Sequence, residues 1–231
     1  QFAFYGGYAT MAVPAALFIR KYSYKSGVLL GLALYAVGAF LFIPAAIFEQ
    51  FSFFCISLYV LTFGLAFLET TANPYILSLG APENATRRLN LAQAFNPMGS
   101  LCGMFIASNV VLCSLDSDTE AVRAIGFSAL DEATKATIRL HDLAVIRDPY
   151  VALGCVVVLV FAIIAFFVKS DKKEVNDEPK AMDSLRRLFS NSRYREGVLA
   201  QMFYVGAQIM TWTFIIQYAD NLGIDKATAQ K

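Results

Sequence analysis

Glu69 is the only acidic or basic residue between Gln50 and Pro82, in a stretch otherwise made of aliphatic, aromatic and small polar side chains. A charge at the centre of an apolar helix costs roughly 2.5 to 3.5 kcal/mol on insertion scales, so a carboxyl placed there needs a reason. Two uses are chemically open. It can face a cavity, where removal from water favours the protonated form and allows a proton to be loaded and released, or it can stay neutral and hydrogen-bond a neighbouring helix. Asn73 follows four residues later and shares its helical face. Pro74 takes away the amide that would bond the Thr70 carbonyl, freeing that oxygen beside the carboxyl. The Asn73-Pro74 pair either kinks the helix at a cavity or ends it early.

A second polar set lies at Gln93 and Asn96, three residues apart and on one face, with Ser100 continuing the stripe and Pro97 loosening the turn. Carboxamides donate and accept at once, which matches a sugar hydroxyl; the alternative use is amide bonding between helices. A third set, Gln201, Tyr204, Gln208 and Trp212, recurs at spacings of three, four and four. Aromatic faces beside amides suit stacking on a sugar ring while its hydroxyls are paired. Tyr204 and Trp212 equally suit a lipid-facing or interfacial position.

The elements that carry these residues are apolar helices. Of the chain's residues 57% are hydrophobic and 16% charged, with mean hydropathy +0.53, which is the composition of an all-α integral membrane protein. A bilayer needs about 20 apolar residues per helix, and six segments meet this: 1–19, 27–48, 53–79, 89–112, 149–168 and 196–218. The chain opens at Gln1 inside an apolar stretch, without a charged leader, and stops at Lys231 just after another. It therefore reads as a fragment lacking both ends.

Orientation follows from the basic residues. Arg20, Lys21 and Lys25 fill the first connection, Arg87 and Arg88 the third, and eight Lys or Arg lie between Lys169 and Arg195. The second connection, at Glu49 and Gln50, has none, and the fourth, 113–148, has four against seven acidic residues. The odd connections are expected in the cytoplasm and the even ones outside. In the long outer loop Ser128 followed by Asp131 signals a short separate helix reaching His141, the sole histidine. Residues 169–195 read as a linker between two bundles. Within it Met182, Leu185, Leu188 and Phe189, alternating with Arg186 and Arg187, could lie flat on the membrane surface. Gly27 with Gly31 and Gly99 with Gly103 are spaced for close helix packing.

Several classes drop out. A net charge of +1 and the lack of a basic stripe argue against nucleic acid. Cys55, Cys102, Cys113 and Cys155 have neither metal-ligand nor paired spacing. No H-E-x-x-H or G-x-S-x-G is present, so an enzyme is not expected, nor any cofactor or metal.

The blocks Ser23-Tyr24-Lys25-Ser26-Gly27, Leu68-Glu69-Thr70-Thr71-Ala72-Asn73-Pro74, Arg88-Leu89-Asn90-Leu91-Ala92-Gln93-Ala94-Phe95-Asn96, and Leu199-Ala200-Gln201 with Tyr204-Val205-Gly206-Ala207-Gln208 resemble the fucose, galactose and glucose proton symporters of the major facilitator superfamily. The resemblance implies a twelve-helix fold of two six-helix halves, with this chain holding about helices 2 to 7. Residues 1–168 would be the N-terminal bundle without its first helix, 169–195 the cytoplasmic linker, and 196–231 the first helix of the C-terminal bundle. It also implies that Glu69 couples protons and that Gln93 and Asn96 contact sugar. Asn73, Gln208, Tyr204 and Trp212 complete the expected substrate set. The expected activity is import of a hexose or deoxyhexose with protons, by a monomer in the bacterial inner membrane, with lipid, sugar and protons as partners. A sodium-coupled or uncoupled sugar carrier of the same fold is the rival reading.

Overall fold

The computed structural model describes residues 2–119, 122, 125–168 and 181–223. The described residues form helices and turns without a strand, and the chain divides into two compact units, Gln1–Lys173 and Glu174–Lys231. In the first unit α1 spans Phe2–Lys21, α2 Tyr24–Phe40, α3 Phe42–Phe48, α4 Phe51–Ser78, α5 Ala85–Gln93, α6 Phe95–Ile106 and α7 Glu132–Phe167. In the second, α8 spans Ala181–Ser190 and α9 Ser192–Asn221. Among the described residues, five stretches are long and apolar enough to cross a membrane: Tyr24–Phe48, Phe51–Ser78, Pro82–Ser114, Glu132–Phe167 and Ser192–Ile215. The expected first span is α1, 20 residues long, its apolar character diluted by Tyr5, Gly6, Gly7, Tyr8 and Thr10.

Proline explains where helices break. Pro44 cannot donate to the Phe40 carbonyl, and the segment expected at 27–48 is interrupted at Leu41. Pro97 cannot donate to the Gln93 carbonyl, and the segment expected at 89–112 is interrupted at Ala94, leaving Gln93 to end α5 and Asn96 in the first turn of α6. Pro74 breaks nothing, because α4 continues through it to Ser78. A π-helical turn, Ala107–Val111, follows α6.

Packing centres on α4, with α1 and α2 against it and α7 against α2. Ala39, Phe42 and Leu61 form the buried core, with Tyr150 stacked on Phe42 at 3.9 Å between ring centroids. The α2–α4 contact is backbone on backbone. A Cβ on Gly38 would lie 2.4 Å from the Leu61 amide nitrogen, and one on Gly64 2.4 Å from that of Tyr35. Gly27 and Gly31 face Thr71 and Leu68 at 2.8 and 3.0 Å, so the first small-residue pair does pack closely. Gly99 and Gly103 meet nothing within 4 Å among the described residues, and the second pair packs no helix there.

Two further expectations are corrected. The separate outer helix at 128–141 does not exist as such: Ser128 lies in a short 3₁₀ turn, Phe127–Ala129, and His141 lies within α7, one continuous 36-residue helix. Asp131 caps it, accepting the Thr134 amide hydrogen bond at 3.3 Å and that of the Thr134 hydroxyl. These bonds, the hydroxyl's first, hold the Asp131 carboxyl below its usual range. Pro149 does not divide α7, since a proline removes only one bond of the ladder. Of the expected linker, 169–180 lies outside the described residues. The stretch Ala181–Ser190 is helical, with Arg186, Arg187, Leu188 and Phe189 exposed.

Charged loops gather at one end of the first unit. The Lys25 ammonium donates to the carbonyls of Ala165 and Val168, 2.9 and 2.6 Å away, closing the C-terminus of α7. The Arg88 guanidinium spans the end of α4, donating to Ile76, Leu77 and Ala81 at 3.4, 3.2 and 2.9 Å. Cations there offset the negative end of the helix dipole and occupy orphan carbonyls. Arg88→Met is expected to lower stability by about 1–2 kcal/mol, read as a lower thermal midpoint of the full-length protein in detergent. Arg88→Lys should recover only part, having the charge without the fork; an unchanged midpoint in Arg88→Met would refute the clamp.

Candidate proton and solute site

The polar side chains singled out in the first unit come together along α4 and α5. Gly7 sets the approach of α1: a Cβ there would meet the Thr62 hydroxyl at 2.1 Å and the Tyr59 carbonyl at 3.1 Å. The neighbouring Tyr8 then reaches across, and its hydroxyl donates to Glu69 Oε1 at 3.2 Å. Thr10 and Tyr59 share a second hydroxyl bond across the same interface, at 3.1 Å. Close approach of α1 at Gly7 thus brings one phenolic hydroxyl, that of Tyr8, onto the one carboxyl of α4.

One turn beyond Glu69, the Asn73 carbonyl oxygen Oδ1 accepts a bond of 2.9 Å from Gln93 Nε2 at the end of α5. Glu69, Asn73 and Gln93 form a continuous polar line. Asn96, past the break at Ala94, is exposed and has no hydrogen-bond partner among the described residues, as is also true of Ser100. The arrangement offers a carboxyl able to exchange a proton and, within a turn or two, amides that donate and accept. Glu69, Gln93 and Asn96 are exposed on this unit rather than enclosed by it, while Asn73 is partly covered.

The second unit stands by itself. Tyr204 and Trp212 lie on α9 at 64% and 66% exposure, with Gln208 half-buried between them in sequence and Gln201 exposed. Their i, i+4 spacing places Tyr204, Gln208 and Trp212 along one side of one helix.

Tyr8 is the participant that spacing did not find. The signal was the Gly6-Gly7 pair beside a tyrosine inside an apolar helix, because a phenol in such a place needs a partner. At the opposite end from the Lys25 and Arg88 clamps, His141 Nδ1 lies 3.1 Å from Asp116 Oδ2. The Asp142 carboxylate accepts the amide hydrogens of Asp116 and Ser117 at 2.8 and 3.2 Å. This cluster fastens the outer loop to α7.

Residues 1–230 match the Major Facilitator Superfamily. The chain is 61% identical to the L-fucose-proton symporter of Haemophilus influenzae, covering 100% of this chain and 54% of that protein. It is 34% identical to the L-fucose-proton symporter of Escherichia coli over 95% of this chain and 50% of that one. With a glucose/galactose transporter of Brucella abortus the figures are 33%, 94% and 48%. A crystal structure of the Escherichia coli fucose:proton symporter superimposes with a TM-score of 0.81 at 32% identity, covering 99% of this chain and 56% of that one. The chain spans about half the length of the curated relatives it matches. Helical architecture of the described residues, apolar spans and a match over nearly every residue agree: this chain belongs to the major facilitator superfamily of multi-pass membrane transporters.

Proposed function

We propose that the full-length protein imports a hexose or deoxyhexose, L-fucose, galactose or glucose, together with protons by alternating access across a bacterial inner membrane. The observation that carries this reading is the polar line on α4 and α5: Glu69 bonded to Tyr8 at 3.2 Å and Asn73 bonded to Gln93 at 2.9 Å, with Glu69 and Asn73 set in the otherwise apolar α4. Relatives at 61% and 34% identity are named as L-fucose-proton symporters, which supports the same chemistry.

In this mechanism Glu69 takes a proton from the outer side. Protonation removes its charge and lets the loaded site face a low-dielectric surround at lower cost. Gln93 and Asn96 pair with sugar hydroxyls, and Asn73 presets the Gln93 amide. Gln208 adds a further amide from the second half, where Tyr204 and Trp212 offer faces for the sugar ring. Residues 1–168 act as helices 2–6 of the N-terminal bundle, 169–195 as the cytoplasmic linker and 196–231 as the start of the C-terminal bundle. Both halves come from one chain, so a monomer suffices.

The test uses the full-length protein in de-energised vesicles, following external pH as fucose, galactose and glucose are added in turn. Alkalinisation on adding one sugar is expected and names the substrate. Entry of labelled sugar without a pH change would replace proton coupling by sodium-coupled or uncoupled transport, and no entry of any of the three would overturn the substrate class.

A further inference from the structure

The Glu69 carboxyl has one side-chain partner among the described residues, and that partner lies 61 positions away, on another helix. Tyr8 is half-buried in α1 and donates its phenolic hydrogen to Glu69 Oε1. Its reach depends on Gly7. Any larger residue at that position would drive a Cβ to 2.1 Å from Thr62 Oγ1 and 3.1 Å from the Tyr59 carbonyl, pushing α1 off α4. Thr62 is wholly buried and its hydroxyl is anchored to the Leu58 and Tyr59 carbonyls at 2.9 Å, so it cannot rotate away freely. The Thr10–Tyr59 bond at 3.1 Å fixes α1 to α4 a little further along. Tyr8 is therefore held at a set distance from Glu69 by packing on one side and a hydrogen bond on the other.

We propose that Tyr8 is a positioning residue for Glu69, holding the ionised carboxylate against α1 between proton loads and so setting the pH range over which the carrier works. The inference rests on the proposed proton-carrying role of Glu69. The chemistry is one-directional. A phenolic O–H can donate to a carboxylate, and a protonated carboxyl offers that donor a weaker acceptor, so the bond favours the charged state of the pair. When Glu69 takes a proton this charge-assisted bond becomes an ordinary neutral one and weakens.

The experiment measures sugar uptake against external pH for the full-length protein, Tyr8→Phe and Glu69→Gln in the same vesicles, together with sugar exchange under conditions of no net proton movement. Tyr8→Phe should keep exchange within about twofold and move the alkaline limb of the uptake profile upward by about one pH unit, the effect of one hydrogen bond to a charged group. A Tyr8→Phe profile that superimposes on the unmodified protein, while Glu69→Gln has lost sugar-driven alkalinisation, overturns the role of Tyr8 alone. Persistence of that alkalinisation in Glu69→Gln overturns the reading of Glu69 and the inference with it. Should Tyr8→Phe fail to accumulate in the membrane, 3-fluorotyrosine at position 8 keeps the shape and strengthens the donor. The alkaline limb must then move downward, and an unmoved limb refutes the proposal.

Discussion

Glu69→Gln in the full-length protein is expected to abolish sugar-driven proton entry and with it all uphill accumulation, so that labelled sugar only equilibrates, while sugar exchange persists. Glutamine keeps the size of the side chain and can accept the Tyr8 hydrogen bond through its carbonyl oxygen, so the α1–α4 contact described at 3.2 Å has a substitute. What it cannot do is bind and release a proton. Since Glu69 is the only acidic or basic residue of α4, that helix holds no second group to take over. The loss follows from coupling and not from a barrier: a carboxamide is neutral at every step, so the carrier can still reorient, but no proton travels with the sugar and nothing drives it uphill. Proton flux, read by external pH, and accumulation of labelled sugar are to be measured on the same vesicles. Uphill accumulation surviving in this variant would remove Glu69 from the coupling path.

Gly64→Leu is expected to prevent stable folding altogether, and Gly64→Ala to destabilise strongly. The obstacle to a Cβ at Gly64 is backbone: the Tyr35 nitrogen at 2.4 Å, the Gly31 carbonyl oxygen at 2.6 Å and the Tyr35 Cα at 2.7 Å. Side chains can rotate away, whereas these atoms move only if α2 moves as a whole. Displacing α2 by the ångström or more required separates Ala39 and Phe42 from Leu61 and opens the core on which Tyr150 stacks. Overpacking ordinarily costs about 1–3 kcal/mol, and separation of two core helices adds lost dispersion along the whole contact. A thermal midpoint falling by several degrees for the alanine variant, and failure of the leucine variant to yield folded protein, are the expected readings. An unchanged midpoint for Gly64→Ala would show that α2 and α4 have room between them.

Much of the architecture was legible because the helical period fixes which residues share a face. Glu69 and Asn73 could be placed on one face from spacing alone, whereas Gln93 and Asn96 fall in two helices and Gln93 bonds Asn73 instead; the expected spans 27–48 and 89–112 ran across breaks at Leu41 and Ala94 that Pro44 and Pro97 account for by the bonds they cannot make. The basic loops also spoke before the structure did, since Lys25 and Arg88 lie where a helix ends and a cation is favoured. What spacing cannot supply is the rotation of one helix relative to another. Tyr8 was therefore missed as the partner of Glu69, and Gly99 with Gly103 was read as a packing pair although no described residue comes near. The outer helix was mistaken in extent for a different reason. Asp131 outcompetes Ser128 as a cap because Thr134 supplies both an amide and a hydroxyl to it, and the helix it starts runs on without a stop into the expected span at 149–168.

The two ties between α4 and the segment that follows it have a mechanical meaning. Arg88 grips the last turn of α4 at one height, and Gln93 grips Asn73 at another, with α5 as the rigid bar between them. Two fixings on one bar remove its freedom to swivel independently. α5 therefore cannot tilt at Ala94 without either stretching one of these bonds or carrying the last turns of α4 along with it.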